Sequence, residues 1–409
     1  MGMPDVIEWS GPMKRAMELL SITLLLSVFA HAYTSQCVPG TSNGVTTTCN
    51  NIYSTHTNPV PGEPTLNYDL YYPTAAGSNN TLPIIVFWHG GGYSLTDDKE
   101  SHLAADFTAL AQAGYNVYIP SYSLAGMFIL TTGVGVGSTV IDVQQDLHDF
   151  YPSGAPYQIL IDSEVMNVTL QNQYNSNQFY LTVKRTHSVA HLVGAFVYVL
   201  GTAWPRPGND GARFMAFLGK NAGQGKGVPG NRADIRVWGW SAGSHLALML
   251  KMAGMSLFVN DGEFSLANFT AAQVTKIDAM SVPADLSCVA LVATDGTEPN
   301  LMSGVLGGIP KAQSVNKTNC AVVQPNAIYV QGRVRESPVG VESSTNPNVP
   351  VQIQTGEEDT TVTPAPPTEF MESAPSNVQQ ITYPTFGHGL DLNLGVNSLA
   401  FKAMLKFIE

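Results

Sequence analysis

Short apolar runs recur along the chain, and longer mixed segments separate them. In residues 83–88 every side chain is apolar, whereas residues 66–72 alternate between apolar and polar. A continuous apolar run is typical of a parallel strand buried on both faces, and alternation is typical of a strand with one exposed face. Further strands are predicted at residues 116–120, 235–238, 288–293, 350–354 and 379–383.

Helical segments are predicted between and after these strands. One runs from about residue 101 to 113 and ends at Gly114, and another closes the chain from about 398 to 408. The alternation of strands and helices favours an α/β fold, in which helices flank both faces of a mostly parallel central sheet.

Residues 123–204 do not follow this alternation of strands and helices. They include a polar stretch at 171–178 and end in an apolar stretch. We interpret residues 126–200 as an insertion into one large domain, residues 33–409. The insertion leaves from the carboxyl end of a strand, where open α/β sheets place their sites, so it is predicted to form a cap or lid. A surface elaboration unrelated to the substrate is the alternative.

Composition and charge exclude some classes of function. The 409 residues carry a formal net charge of −12 and only 19 Lys and Arg residues, so they offer no basic stripe for nucleic acid. Charged residues make up 12% of the chain, about half the usual share. A surface rich in uncharged polar side chains is common among secreted proteins.

The N-terminal segment has the pattern of a signal peptide. Lys14 and Arg15 precede an uncharged stretch at 19–29, and Ala30-His31-Ala32 matches a cleavage site. Residues 1–32 are therefore predicted to be removed on secretion, which leaves no stable membrane span, since no later segment is long and apolar enough. An uncleaved signal anchor in the secretory pathway is the alternative.

Secretion permits glycans and disulfides. Four N-x-[ST] sequons provide glycosylation candidates, Asn79, Asn167, Asn268 and Asn316. Four cysteines allow three pairings, and proximity in sequence favours Cys37 with Cys49 and Cys288 with Cys320. Free buried thiols are the alternative, above all for Cys288, which lies in an apolar run.

The segment Gly239-Trp240-Ser241-Ala242-Gly243 carries the strongest chemical signal. It follows an apolar run and precedes a helix-like stretch rich in Ala and Leu. A nucleophilic serine must project from a turn so tight that glycines are needed on both sides of it. This context predicts a nucleophile elbow with Ser241 as the nucleophile.

An attacking serine creates an oxyanion, which needs backbone N–H donors nearby. The run His89-Gly90-Gly91-Gly92 follows a predicted buried strand, and its glycines let the main chain approach closely. We assign donors to Gly91, Gly92 and Ala242, the residue after the nucleophile. A flexible glycine turn is the alternative.

The remaining catalytic groups are expected on late loops. Asp359 follows a predicted strand at the sheet's carboxyl edge, with Glu357 and Glu358 as close rivals, and His388 lies between glycines after the last strand. A histidine base oriented by a carboxylate completes a triad. The order Ser241, Asp359, His388 is the one that α/β-hydrolases use.

Other histidines are given structural roles. His187 and His191 would share a helix face, but Ser188 stands where a zincin has glutamate, and no further ligand cluster is evident. We therefore expect no metal and no cofactor. His245 is interpreted as a packed helix residue and His89 as a brace for the glycine loop.

These motifs together resemble the α/β-hydrolase fold, and within it the HGGG-bearing esterases and lipases of the hormone-sensitive lipase-like and feruloyl or carbohydrate esterase-like groups. The resemblance covers roughly residues 66–125 and 203–409, with Glu336-Ser-Pro338 as a weaker match. Hormone-sensitive lipase-like members usually have Asp where this chain has Trp240. The pattern after Ser241 is nearer to feruloyl-esterase-like and arylformamidase-like members.

The resemblance implies hydrolysis of short to medium acyl esters through an acyl-serine intermediate, without cofactor or metal. The expected partner is a small-molecule or carbohydrate-linked ester. Cleavage of an amide or peptide by the same serine is the first alternative. A binding protein that keeps the fold without catalysis is the second, although its usual mark, a broken triad, is not seen.

Overall fold

A computed structural model describes residues 37–54, 66–91, 103–122, 127–143, 157–161, 164–175, 178–185, 189–193, 195–200, 206–259, 262–283, 329–330, 333–334, 349–359, 362, 377–388 and 396–409.

In the part of the chain that the structure describes, a nine-stranded sheet forms the centre of the fold. Its strands are β1 (Gly40–Ser42), β2 (Val45–Ile52), β3 (Asn67–Pro73), β4 (Pro83–Trp88), β5 (Asn116–Pro120), β12 (Asn231–Trp240), β13 (Val274–Met280), β16 (Val351–Gly356) and β17 (Val378–Tyr383). They lie in the order β1-β2-β3-β5-β4-β12-β13-β16-β17. Every neighbouring pair from β5 to β17 is parallel, and the strands before β5 are added antiparallel.

Helices cover both faces of this sheet. They are α1 (Ala104–Gln112), α2 (Arg206–Asn221), α3 (Ala242–Leu257), the short α4 (Leu266–Ala271) and α5 (Leu399–Ile408). Successive side chains of a strand point to opposite faces, so Trp88 of β4 packs against Phe214 of α2 while Phe87 packs against Phe107 of α1. The predicted mostly parallel sheet with flanking helices is confirmed.

One central strand was not predicted. β13 carries Lys276 and Asp278 among apolar residues, so its sequence is not a continuous apolar run. Asp278 is nevertheless fully buried, because the side chains of Gln352 and Gln354 donate hydrogen bonds to it. The strand predicted instead at 288–293 lies outside the described residues.

The insertion forms a second, antiparallel sheet. Its strands are β6 (Met127–Ile129), β7 (Val140–Val143), β8 (Tyr157–Ile161), β9 (Glu164–Asn175), β10 (Gln178–Arg185) and β11 (Phe196–Leu200), in the order β6-β11-β8-β9-β10-β7. An antiparallel bridge between Leu130 and Val143 joins the two ends, so the sheet closes into a six-stranded barrel. Among the described side chains, eleven buried hydrophobic ones from Leu130 to Val197 fill its interior.

The barrel begins just beyond the carboxyl end of β5 and the chain returns from it to α2. It consists of antiparallel strands around their own core, which is why residues 126–200 do not follow the alternation of strands and helices seen in the main fold. Its action as a cap or lid stays a prediction. A short hairpin of β14 (Tyr329–Val330) and β15 (Arg333–Val334) completes the described strands.

The N-terminal end of the described chain is cross-linked. Cys37 and Cys49 form a disulfide, as predicted, with their Cα atoms 5.8 Å apart. Cys288 and Cys320 lie outside the described residues. Of the sequons, Asn79 is exposed, Asn167 in β9 and Asn268 in α4 are half-buried, and Asn316 is not described. In the described ranges, no helix is long and apolar enough to cross a bilayer.

Candidate active site

Ser241 sits in a strained turn between β12 and α3. Its backbone has φ 52° and ψ −122°, a conformation that costs energy for a residue other than glycine. The turn is held because the Ser241 N–H donates to the carbonyl of Met280 at 2.8 Å. The Ser241 carbonyl in turn accepts from Ser244 and His245 of the first helical turn, at 3.0 and 3.2 Å.

Gly239 and Gly243, on either side of Ser241, are required because other backbone atoms approach them closely. A Cβ on Gly239 would lie 2.6 Å from the Ser244 Cα, and one on Gly243 would lie 2.0 Å from the Trp88 carbonyl oxygen. No side chain fits at either position. The structure therefore places Ser241 in the strand–turn–helix context that the sequence predicts.

His388 links Ser241 to Asp359. Its Nε2 lies 3.1 Å from the Ser241 Oγ, and its Nδ1 lies 3.0 and 3.2 Å from the two carboxylate oxygens of Asp359. A carboxylate can only accept, so Nδ1 carries the proton and Nε2 is left as an acceptor for the serine hydroxyl. The three residues are thus brought together in the geometry of a serine-activating triad.

Asp359 is separated from its two rivals by burial. Its side chain is inaccessible, and the Val362 N–H donates to its Oδ1 at 2.7 Å. Glu357 and Glu358, the two preceding residues, are exposed. Among these three acids the structure brings Asp359 to His388.

The turns that carry Asp359 and His388 are packed directly together. The Glu357 N–H donates to the Tyr383 carbonyl at 3.0 Å, and the Glu358 N–H donates to the Phe386 carbonyl at 3.1 Å. A Cβ on Gly356 would lie 1.9 Å from that Phe386 oxygen, so a glycine is needed where β16 ends. These contacts fix the separation of acid and base.

The glycine loop after β4 is braced by two aromatic groups. The buried His89 ring stacks on Tyr122 with a centroid separation of 4.1 Å and an interplanar angle of 7°. The Tyr122 hydroxyl donates to the His89 carbonyl at 2.7 Å, and the His89 Nδ1 donates to the Gly90 carbonyl at 2.9 Å. His89 is therefore a brace, as predicted, and Tyr122 is a partner that the sequence interpretation missed.

The structure describes two of the three residues assigned as oxyanion donors, Gly91 and Ala242. Gly91 has a φ of 100°, which a residue with a side chain adopts only with strain. Ala242 is the first residue of α3, where backbone N–H groups and the positive end of the helix dipole face the nucleophile. Gly92 lies outside the described residues.

The remaining histidines lie elsewhere. His245 is fully buried in α3. His191 is not on a helix, contrary to the expected shared face with His187, because it pairs with Val134 in an antiparallel bridge. Its Nε2 lies 3.0 Å from Glu164, whose pKa falls to about 2, chiefly because Arg185 donates hydrogen bonds to it.

Among the described residues, one group of potential metal ligands is close enough to share an ion. It consists of Cys37, Cys49 and Asp69. Both sulfur atoms belong to the disulfide, so neither is available as a thiolate. This cluster offers no metal site.

Comparisons with known proteins identify the fold. No family model matches the chain, and no curated protein matches it either. A solved structure of esterase B from Lactobacillus rhamnosis, inhibited by a tributyrin phosphonate, is similar with a TM-score of 0.51 and 13% identity over 97% of this chain and 95% of that one. A truncated carbohydrate esterase from gut microbiota is similar with a TM-score of 0.51 and 14% identity, over 90% of this chain and 97% of that one.

These likenesses agree with the strand order and the flanking helices. The mostly parallel sheet and the helices on both faces are those of an α/β-hydrolase. The chain therefore has the α/β-hydrolase fold, with a barrel inserted after β5.

Proposed function

We propose that this protein is a serine carboxylic-ester hydrolase. One observation carries the proposal: Ser241, held in a strained elbow, is hydrogen-bonded through His388 to the buried Asp359. A serine hydroxyl is a weak nucleophile by itself, and an adjacent oriented base is what activates it. In such an elbow the serine side chain projects from the turn between strand and helix.

The mechanism is a two-step acyl transfer. His388 Nε2 takes the Ser241 proton as Oγ bonds to the ester carbonyl carbon, and backbone N–H groups of Gly91, Gly92 and Ala242 stabilise the oxyanion. His388 then protonates the leaving alcohol as the carbon–oxygen bond breaks. In the second step water attacks the acyl carbon as His388 takes its proton. The bond to Ser241 Oγ then breaks, Oγ regains a proton from His388, and the carboxylic acid is released.

Esters are favoured over amides by analogy of fold. Two solved structures similar in fold are an esterase and a carbohydrate esterase, and this analogy favours an ester substrate. We propose short to medium acyl esters, with small-molecule or carbohydrate leaving groups. Amide or peptide cleavage by the same Ser241 is the alternative from the sequence.

The test is a substrate panel with a covalent probe. We expect purified protein to hydrolyse p-nitrophenyl acetate and butyrate, and a fluorophosphonate to label Ser241. Ser241→Ala should abolish labelling and lower kcat by roughly 10⁶-fold, as loss of a triad serine does elsewhere. Robust turnover of anilides without ester turnover would favour the amidase alternative, and an unlabelled, inactive wild-type protein would favour the binding-protein alternative.

We also propose that the mature protein is secreted and begins after residue 32. The Cys37–Cys49 disulfide supports an oxidising compartment, because such bonds are rare where thiols are kept reduced. The exposed Asn79 supports a glycan at that position. An uncleaved signal anchor remains the alternative.

A further inference from the structure

Trp240, the residue before Ser241, contacts two parts of the site at once. A Cβ on Gly90 would lie 2.7 Å from the Trp240 Cε3, so the indole rests on the backbone of the glycine loop. On its other side, the Trp240 ring centroid lies 5.6 Å from that of His388, with the two planes tilted by 38°. One rigid side chain thus spans the distance between the oxyanion loop and the base.

The backbone of Trp240 is fixed by the sheet. Trp240 is the last residue of β12 and lies opposite Met280 of β13, whose carbonyl accepts the next N–H, that of Ser241. The side chain packs against the core on the α1 and α5 face of the sheet. Within the described part of the chain, no hydrogen-bond acceptor lies at its buried Nε1.

We propose that Trp240 is a positioning residue that holds His388 and the Gly90–Gly91 loop at a fixed separation on either side of Ser241. This assignment rests on the proposed ester hydrolysis. The aromatic face also lies beside the imidazolium that forms when His388 takes the serine proton, and a cation within about 6 Å of a ring centroid is attracted to it. Both effects act in the transition state more than on bound substrate, so they govern kcat rather than KM.

The experiment compares Trp240→Leu and Trp240→Phe with p-nitrophenyl butyrate as substrate. Active sites are counted by stoichiometric reaction with a fluorophosphonate, so that kcat refers to folded, reactive protein. We expect Trp240→Leu to lower kcat about tenfold, while KM changes less than about threefold. A tenfold loss corresponds to the free energy that a close aromatic contact typically contributes. Trp240→Phe should recover a large part of this loss because it keeps an aromatic face.

Trp238 provides a matched control on the same face of β12. It is fully buried between Phe87 and Phe401, with centroid separations of 4.6 and 6.0 Å, and it touches neither the loop nor the base among its ring contacts. Trp238→Phe should lower the melting temperature and leave kcat per titrated site unchanged. Trp240→Leu, by contrast, should lower kcat per titrated site.

A double-mutant cycle tests the contact with the loop directly. Gly90→Ala places a methyl group against the indole, so it should lower kcat in the wild-type background and lower it less in Trp240→Leu, where the space is open. Equal losses in both backgrounds, or an unchanged kcat per titrated site in Trp240→Leu, would overturn the assignment. A wild-type protein that no fluorophosphonate labels would instead refute ester hydrolysis itself, and the role of Trp240 with it.

Discussion

Three consecutive acids near the end of β16 show how much a single position matters. Glu357, Glu358 and Asp359 have similar chemistry, and the sequence alone ranks them only by pattern. In the folded chain the first two are exposed, while Asp359 is buried and bonded to both His388 and the Val362 N–H. A buried carboxylate that is already paired stabilises an imidazolium far more than a solvated one.

Asp359→Asn is expected to lower kcat by roughly 10³- to 10⁴-fold. The asparagine NH2 group donates to His388 Nδ1, where the carboxylate accepted from it. The ring proton then lies on Nε2, which can no longer accept the serine proton. Ester turnover per folded protein, with circular dichroism to confirm the fold, measures this effect.

The matched controls are Glu357→Gln and Glu358→Gln. Both side chains are exposed, whereas Asp359 is the acid that pairs with His388, so each change should alter kcat by less than about twofold. If Glu358→Gln lost as much activity as Asp359→Asn, the assignment of the acid would be wrong.

At the scale of elements, β13, β16 and β17 share a buried polar network. Asp278 accepts from Gln352 at 2.8 Å and from Gln354 at 2.9 Å, and the Tyr383 hydroxyl donates to Gln354 at 2.7 Å. Burial raises the pKa of Asp278 from 3.8 to about 7, although the two glutamine hydrogen bonds lower it. The network joins the strand that supports Ser241 to the strands that carry Asp359 and His388.

Because its pKa is raised in the folded protein, Asp278 is predicted to make the free energy of unfolding depend on pH. A carboxyl whose pKa is raised on folding binds its proton more tightly in the folded state, so the free energy of unfolding falls as pH rises from about 4 to above 7. The loss at pH 8 is at most about 4 kcal/mol, from roughly three pKa units at 1.36 kcal/mol each. Asp278→Asn, which keeps an oxygen acceptor but cannot ionise, should remove this fall.

Urea unfolding of the wild-type protein and of Asp278→Asn between pH 4 and 8 provides the measurement. Asp234→Asn is the control, because Asp234 pairs with Arg236 near the surface, where an ion pair contributes about 1 kcal/mol or less. Parallel stability curves for wild type and Asp278→Asn across this range would contradict the prediction.

At the scale of the whole molecule, the chain contains two separately packed units. The main sheet has an apolar core on each face, and the barrel has an aliphatic core of its own. The barrel enters after β5, close in the chain to Tyr122, which braces the glycine loop. In sequence, the insertion therefore begins shortly after a residue that braces the proposed oxyanion loop.

Secretion is also a property of the whole molecule, and it has a direct test. Protein expressed in a eukaryotic secretory host should appear in the medium with Tyr33 at its N-terminus and with Cys37 and Cys49 joined, as seen by mass spectrometry. Recovery only from membranes, with residues 19–29 still present, would instead support the signal anchor.

Much of the fold and of the site was predictable because local rules decide it. A continuous apolar run predicted β4, since a strand buried on both faces admits little else. Strands were also predicted where β5, β16 and β17 lie. The glycines around Ser241 signalled the elbow, because a tight turn and close packing tolerate no side chain there. The proximity of Cys37 and Cys49 in sequence favoured the disulfide that the structure contains.

The features that local sequence patterns did not predict depend on contacts between segments that are far apart in the chain. β13 was missed because Asp278 is polar, and its burial is tolerated because the glutamines of the neighbouring strand donate hydrogen bonds to it. The barrel was seen only as an irregular insertion, because its closure depends on pairing between Leu130 and Val143, at opposite edges of the sheet.

The sequence by itself determined the α/β class and the residues that could act as nucleophile and base, because each is marked by a short pattern with a steric cause. The choice of Asp359 among three acids, the brace formed by Tyr122, and the position of Trp240 between Gly90 and His388 were decided only by the tertiary structure. Each of these depends on the distance between segments far apart in the chain, and no local pattern encodes that distance.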